Sequence, residues 1–125
     1  MFGAEHAAMP VSARAVGASA ERQVWWRYWL RGWRLCARNW VGGGGELDLV
    51  ASRWTTLVVI EVRRRQSLDA AALSVDQAKL DRTLAAARSL IATHGLQRYR
   101  LRVDLAAVDA AGRIRIQKHV TTQQT

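Results

Sequence analysis

The sequence predicts an α/β domain in which helices flank a central mixed β-sheet. Several segments are rich in β-branched and large aliphatic residues, and two segments carry apolar residues at helical spacing, which together give the order α-β-β-β-α-β-β. With 125 residues, half of them hydrophobic, the chain can build one core but not two ordinary domains. We therefore expect one domain over residues 12–120, with disordered tails at 1–11 and 121–125.

The first predicted helix begins at Ser12, a suitable N-cap, and ends before Gly32, a residue type favoured where helices stop. Apolar residues recur between these limits at helical spacing, namely Val16, Ala20, Val24 and Tyr28 or Trp29. The spacing of Trp26, Trp29 and Trp33 favours core or dimer packing over base stacking, and this helix could supply a homodimer interface.

Three strands should follow the first helix. Residues 33–40 are the first candidate, and 46–51 and 56–64 are rich in β-branched or large aliphatic residues. Between the first two strands lies Gly42–Gly45, which we interpret as a flexible bend. No Gly-Lys-Ser/Thr follows these glycines, so they do not form a phosphate-binding loop.

The second helix is predicted from Ser74 and Gln77, which fit a capping box, and it ends at Gly95. Its mostly apolar stripe consists of Leu73, Gln77, Leu80, Leu84, Ala87 and Ile91. The last two strands are predicted over residues 100–108 and 113–120, with a turn between them.

Two carboxylates stand out within the second and third strands. Because side chains alternate along a strand, Glu61 and Arg63 should share one face of the third strand, opposite a fully apolar face. A hairpin turning near Trp54-Thr55 would place Asp48 opposite Glu61, because the two positions are symmetric about that turn. The alternative is that each acid simply pairs with arginines on a polar sheet face.

Neighbouring carboxylates repel each other, and a divalent cation is the natural compensation. Mg²⁺ or Mn²⁺ commonly takes one or two carboxylates together with waters and substrate phosphate. Such a metal can lower the pKa of a bound water that attacks a phosphodiester, and Arg63 could stabilise the charge that develops on phosphorus.

The net charge of +9 indicates a polyanionic partner, for which nucleic acid is the first candidate. Nearly all basic residues are arginine, and biased codon usage could explain that choice but not the excess of base over acid. The candidates for phosphate contacts are Arg63, Arg64, Arg65, Lys79 and Arg82. A solvated charged face is the alternative for these side chains.

No segment is long and apolar enough for a membrane-spanning helix, and the N-terminus lacks the apolar run of a signal peptide. We therefore expect a cytoplasmic protein without a membrane partner. The single cysteine, Cys36, excludes an intrachain disulfide and suits a small buried residue better than a nucleophile.

The two-strand signature, Gly45-Glu46-Leu47-Asp48-Leu49-Val50-Ala51 and Leu57-Val58-Val59-Ile60-Glu61-Val62-Arg63, resembles the YraN family of small bacterial proteins. Weaker matches extend the resemblance from Gly17 to about Lys118. This family looks like archaeal Holliday-junction resolvases and the PD-(D/E)xK nuclease superfamily, which implies a restriction-endonuclease-like fold.

The resemblance also implies roles for individual residues. Asp48 corresponds to the superfamily's metal-binding aspartate, Glu61 to the acid of its second half-motif, and Glu21 to a helix-borne glutamate that completes an acidic cluster. Arg63 stands where the family usually has lysine; arginine cannot act as a base, although it can still neutralise phosphate charge. Ala20 replaces a usual glycine.

Together these features predict a Mg²⁺-dependent or Mn²⁺-dependent endonuclease for structured or branched DNA. Asp48, Glu61 and Glu21 would hold the metal, and Arg63 or Lys79 would stabilise charge. The alternatives are a non-catalytic nucleic-acid-binding module with a degenerate site and a basic scaffold protein.

Overall fold

The computed structural model describes residues 11–120, and their side chains from Ser19 onward. The elements are α1 (Val11–Trp29), β1 (Arg34–Gly42), β2 (Gly45–Arg53), β3 (Thr56–Arg64), α2 (Leu68–Leu73), α3 (Gln77–His94), β4 (Arg100–Val108) and β5 (Ile114–Gln117). The predicted tails lie outside the described residues except for Val11, which is the first residue of α1.

The five strands form a single mixed sheet in the order β1-β2-β3-β4-β5. Only β3 and β4 run parallel; the other neighbouring pairs are antiparallel. A parallel pair needs a crossover connection, which α2 and α3 provide. The predicted fold class is confirmed: the chain has a restriction-endonuclease-like α/β fold, with helices flanking a mixed sheet.

Helices cover both faces of the sheet, and the alternation of side chains along β3 explains how. Val58 and Ile60 pack in the cluster that contains Val24 and Tyr28 of α1. Leu57 and Val59 pack on the other face with α3, whose buried residues there are Ala86, Ala87 and Leu90. The next residue on the α3 face is Glu61, so the predicted alternation of the strand is confirmed.

The segment between β3 and β4 differs from the prediction of one helix. Ser67 caps a short first helix, α2, by accepting a hydrogen bond from Ala70 N. Ser74 ends that helix, and Asp76 caps α3 by accepting from Lys79 N at 2.9 Å. The predicted capping box at Ser74 is therefore wrong, because Asp76 is the side chain that reaches the free N–H groups of α3.

The glycine run forms a two-residue turn between β1 and β2. Gly42 pairs with Gly45, and Gly43 and Gly44 have φ values of 62° and 84°, a backbone region suited to tight hairpins and to glycine. A Cβ added at Gly45 would lie 2.6 Å from the carbonyl oxygen of Arg82. The hairpin thus rests directly on the backbone of α3.

The tryptophans only partly follow the expected burial. Trp33 is 3% exposed, whereas Trp26 and Trp29 are each 54% exposed and meet edge to face at 5.2 Å. Core packing is therefore wrong for these two residues, because α1 faces the sheet through Ala20, Val24 and Tyr28. Cys36 is buried as expected. Among the described residues, no helix has the length and hydropathy to cross a membrane.

Candidate functional site

Asp48 and Glu61 lie on adjacent strands, where the ladder between β2 and β3 ends. The β2–β3 register begins at Arg53↔Thr56, beside the predicted turn, and continues to Leu49↔Ile60. The next positions in the same register are Asp48 and Glu61. The Asp48 side chain accepts a hydrogen bond from Val62 N at 2.9 Å through Oδ2. The hairpin symmetry seen in the sequence therefore does bring these two acids together.

Glu61 is only 4% exposed and is surrounded by two cations. Its Oε2 lies 3.4 Å from Arg63 Nε and 3.6 Å from Lys79 Nζ. Lys79 reaches the site from the first turn of α3, the helix that packs on this face of the sheet. The structure thus assembles Asp48, Glu61, Arg63 and Lys79 from β2, β3 and α3.

Three buried polar atoms near this arrangement lack a hydrogen-bond partner within the described part of the chain: Glu61 Oε1, Arg63 Nε and Thr83 Oγ1. The contact of Arg63 with Glu61 has the distance of an ion pair but not the geometry of a hydrogen bond. Thr83 lies one helical turn after Lys79 on α3, hence on the same side of the helix. Buried polar groups are normally satisfied, so such atoms are expected where a ligand, ion or water binds.

The protonation of the two acids reflects their burial and their proximity. Burial raises the pKa of Glu61 to about 7, and the negative charge of Asp48 adds to this effect, while Lys79 and Arg63 oppose it. Burial also raises the pKa of Asp48, against the hydrogen bond from Val62. Both shifts mean that the doubly ionised pair is unfavourable, and a cation that binds both oxygens would remove that cost.

The donor set fits a hard divalent cation in part. Two carboxylates, one with an unpartnered oxygen, match a Mg²⁺ site completed by waters and phosphate. Glu21, the expected third acid, lies on α1, which packs on the opposite face of the sheet. Within residues 19–120, no three His, Cys, Asp or Glu side chains are grouped so that they could hold a metal ion.

The remaining basic candidates lie outside this contact network. Arg64 and Arg65 are exposed at the end of β3, where Arg65 Nη1 donates to the carbonyl oxygen of Arg64 at 2.7 Å. Arg82 is exposed on α3. The contact of Lys79 with Glu61 depends on how α3 crosses the sheet. The hydrogen bond from Val62 N to Asp48 depends on how the β2–β3 ladder ends. No local sequence pattern indicates either feature.

Known proteins are similar to this chain over most of its length. The model of the uncharacterised protein family UPF0102 matches residues 20–108. UPF0102 proteins of Methylorubrum populi, Dinoroseobacter shibae and Cereibacter sphaeroides are 40%, 36% and 38% identical over 80, 106 and 103 residues. These alignments cover 64%, 84% and 80% of this chain, and 64%, 79% and 86% of the relatives. The chain thus spans slightly less than two thirds of the Methylorubrum populi relative. As the signature around Asp48 and Glu61 predicts, the chain belongs to the family UPF0102, the YraN family.

Proposed function

We propose that this protein binds nucleic acid and hydrolyses phosphodiester bonds with a divalent cation, Mg²⁺ or Mn²⁺, held by Asp48 and Glu61. One observation carries the proposal: two neighbouring, largely buried carboxylates lie beside Lys79 and Arg63, and Glu61 Oε1 has no hydrogen-bond partner among the described residues. The ion pairs with Arg63 and Lys79 both engage Oε2 and leave that oxygen open. A metal and a substrate phosphate explain why it is left open.

Each residue has a distinct part in this chemistry. Asp48 and Glu61 would hold the cation, which when bound supplies a water of lowered pKa and polarises the phosphate. Lys79, on α3, provides an ammonium group beside Glu61. The family usually has this lysine on the strand itself, at the position of Arg63. Arg63 would neutralise the phosphate through its planar donors. Lys79 is thus the group that can orient the attacking water.

The substrate class rests on charge and on the resemblance to resolvases. The excess of nine positive charges favours phosphate contacts that position a nucleic acid without reading its sequence. Arg64, Arg65 and Arg82 are exposed and would make such contacts. The preference for structured or branched DNA, and a dimer that cuts two strands, are proposals from the resemblance.

A cleavage assay tests the proposal directly. Branched, duplex and single-stranded DNA are incubated with the protein in Mg²⁺, Mn²⁺ or a chelator, beside Glu61→Ala and the control Arg88→Gln, an exposed charge on α3. We expect metal-dependent cleavage by native protein and by Arg88→Gln, and none by Glu61→Ala. Cleavage that persists in chelator, or in Glu61→Ala, would overturn the assignment.

One observation favours a second candidate, a nucleic-acid-binding module without turnover. Arg63 and Lys79 both lie against Glu61, and no third acid completes a cluster among the described residues. This candidate predicts binding that weakens steeply with added salt but no cleavage in any metal. Affinity that stays constant across ionic strength would argue against both candidates.

A further inference from the structure

A second basic site lies on the opposite face of the sheet from Glu61. It is a surface cavity of about 170 Å³. Its lining residues are Arg27, Tyr28, Arg31, Trp33, Arg53, Arg102, Ile116 and Lys118. Arg53 pairs with Thr56 at the start of β3, so Arg53 is separated from Glu61 along that strand by roughly 17 Å.

Five cations from separate parts of the chain converge on this cavity. Arg27 lies near the end of α1, Arg31 in the turn after it, Arg53 at the end of β2, Arg102 on β4 and Lys118 after β5. Converging charges of one sign are unfavourable unless an anion compensates them. The five converging cations therefore need a counter-ion.

The protein itself supplies only a small part of that compensation. Asp104 is fully buried behind the cavity and accepts from Arg102 Nε and Nη2 at 3.0 and 2.9 Å. The same carboxylate accepts the hydroxyl of Tyr28 at 2.7 Å. Within the described part of the chain, the other four cations of the cavity have no ion pair.

Two of the guanidinium groups are held in place before any ligand arrives. Arg53 and Arg102 stack on the ring of the buried Trp33, at 4.3 and 5.1 Å from its centroid. Arg53 Nη1 also donates to the carbonyl oxygen of Arg31 at 2.8 Å. A guanidinium group fixed in this way loses little side-chain entropy when it binds an oxyanion, and the remaining donors of Arg53 suit phosphate oxygens.

We propose that this cavity binds a phosphomonoester group, either on a free nucleotide or at the 5′ end of a nucleic-acid strand. A phosphomonoester carries nearly two negative charges at neutral pH, whereas a diester within a strand carries one. Four cations without an ion pair match the dianion better. The cavity opens to solvent at the exposed Arg27, Arg31 and Lys118, so a strand or nucleoside can extend outward.

The test measures binding alone, in chelator, so its outcome does not depend on the proposed cleavage. A single-stranded oligonucleotide with a dye at its 3′ end is compared with and without a 5′-phosphate by fluorescence anisotropy. We expect the phosphorylated form to bind at least about tenfold more tightly. Equal affinity for the two forms overturns the proposal.

Variants test whether the cavity causes the preference for the 5′-phosphorylated oligonucleotide. Lys118→Gln, at an exposed position, and Arg53→Gln should each reduce the preference, and the double variant should remove it. Arg88→Gln, which removes one charge from α3 on the other face, should keep it. Because Arg53 packs on Trp33, we expect Arg53→Gln to lose stability, so the outcome for Lys118→Gln decides. A preference unchanged in Lys118→Gln, or lost equally in Arg88→Gln, contradicts the proposal.

Competition identifies the source of the phosphate. If a nucleoside 5′-monophosphate displaces the phosphorylated oligonucleotide but the nucleoside does not, the cavity accepts free phosphomonoesters. If only a second 5′-phosphorylated strand competes, the cavity recognises strand ends. Displacement by the unphosphorylated nucleoside at equal concentration would show that base contacts dominate and would overturn the phosphate assignment.

Discussion

Asp48 accepts a hydrogen bond from the backbone N–H of Val62 at 2.9 Å, so a side chain of β2 continues the pairing where the backbone ladder with β3 stops. This contact holds one oxygen of Asp48 against β3, close to Glu61. The distance between the two carboxylates is therefore set by backbone geometry, which a metal site requires if it is to form without rearrangement.

Two substitutions at Asp48 separate its structural contact from its charge. Asp48→Asn keeps an acceptor for Val62 N, whereas Asp48→Ala leaves that N–H unpaired at the end of the ladder. We expect Asp48→Ala to be less stable than Asp48→Asn by about 1 to 2 kcal/mol in urea denaturation. Both variants should lose metal-dependent cleavage while nucleic-acid binding stays largely intact. If Asp48→Asn cleaves at the native rate, the carboxylate has no role in metal binding.

Lys79 and Arg63 both contact Glu61 but are not expected to be equivalent. Lys79→Gln should lower the cleavage rate by roughly a hundredfold, because it removes the one ammonium group at the site. Arg63→Lys should change the rate little, since Lys79 already supplies that group, and Arg63→Ala should weaken phosphate neutralisation. Steady-state rates, compared with those of Arg88→Gln, check this order. A large gain of activity in Arg63→Lys would show that the ammonium is needed on β3 and that Lys79 does not replace it.

The strands were predictable because their signal is local. The limits predicted for β3 and β4 match the structure, and the predicted turn at Trp54-Thr55 places Asp48 opposite Glu61, in line with the β2–β3 register. The helices were harder. The signal for α2, a serine followed by Leu68-Asp69-Ala70, is present but short, and it merges with the stronger apolar pattern of α3.

The contacts of the site that could not be predicted from the sequence depend on tertiary packing. Lys79 meets Glu61 because the glycine turn allows α3 to rest close to the β1–β2 hairpin. Glu21 was assigned to the acidic cluster through family resemblance, but α1 covers the face of the sheet opposite Glu61. Trp26 and Trp29 have helical spacing, yet spacing alone does not tell which face of α1 the sheet will bury.

The raised pKa of Glu61 predicts that the native protein loses stability as pH rises. Its pKa is about 7 in the folded protein and near 4.5 ordinarily, so between these values the folded state holds a proton that the unfolded state has released. The contribution of Glu61 to stability should therefore be full below pH 4.5, fall as the pH approaches 7, and stay lost above it. Glu61→Gln cannot ionise and should gain about 2 to 3 kcal/mol relative to native protein over this range.

Urea denaturation in chelator, at pH 5 and pH 8, measures this difference. Added Mg²⁺ should then stabilise native protein at pH 8 more than it stabilises Glu61→Gln, because the ion binds the carboxylate form. An equal difference between the two proteins at both pH values would show that Glu61 is not desolvated as described.

The last prediction concerns Gly45, which fixes the distance between the hairpin and α3. In Gly45→Ala the new Cβ would lie 2.6 Å from the carbonyl oxygen of Arg82. That neighbour is helix backbone, so α3 or the hairpin must move, at a cost of about 1 to 3 kcal/mol. Lys79 lies one turn before Arg82 on the same helix, and the displacement should lengthen its contact with Glu61. The cleavage rate should fall by roughly tenfold or more.

Gly44→Ala is the matched control: open space surrounds its Cβ, but its φ of 84° strains any other residue, at about 1 kcal/mol. It should lose stability without losing rate. Urea denaturation and initial rates on the same preparations compare the two variants. If both lose rate in proportion to stability, close packing of the hairpin on α3 does not position Lys79.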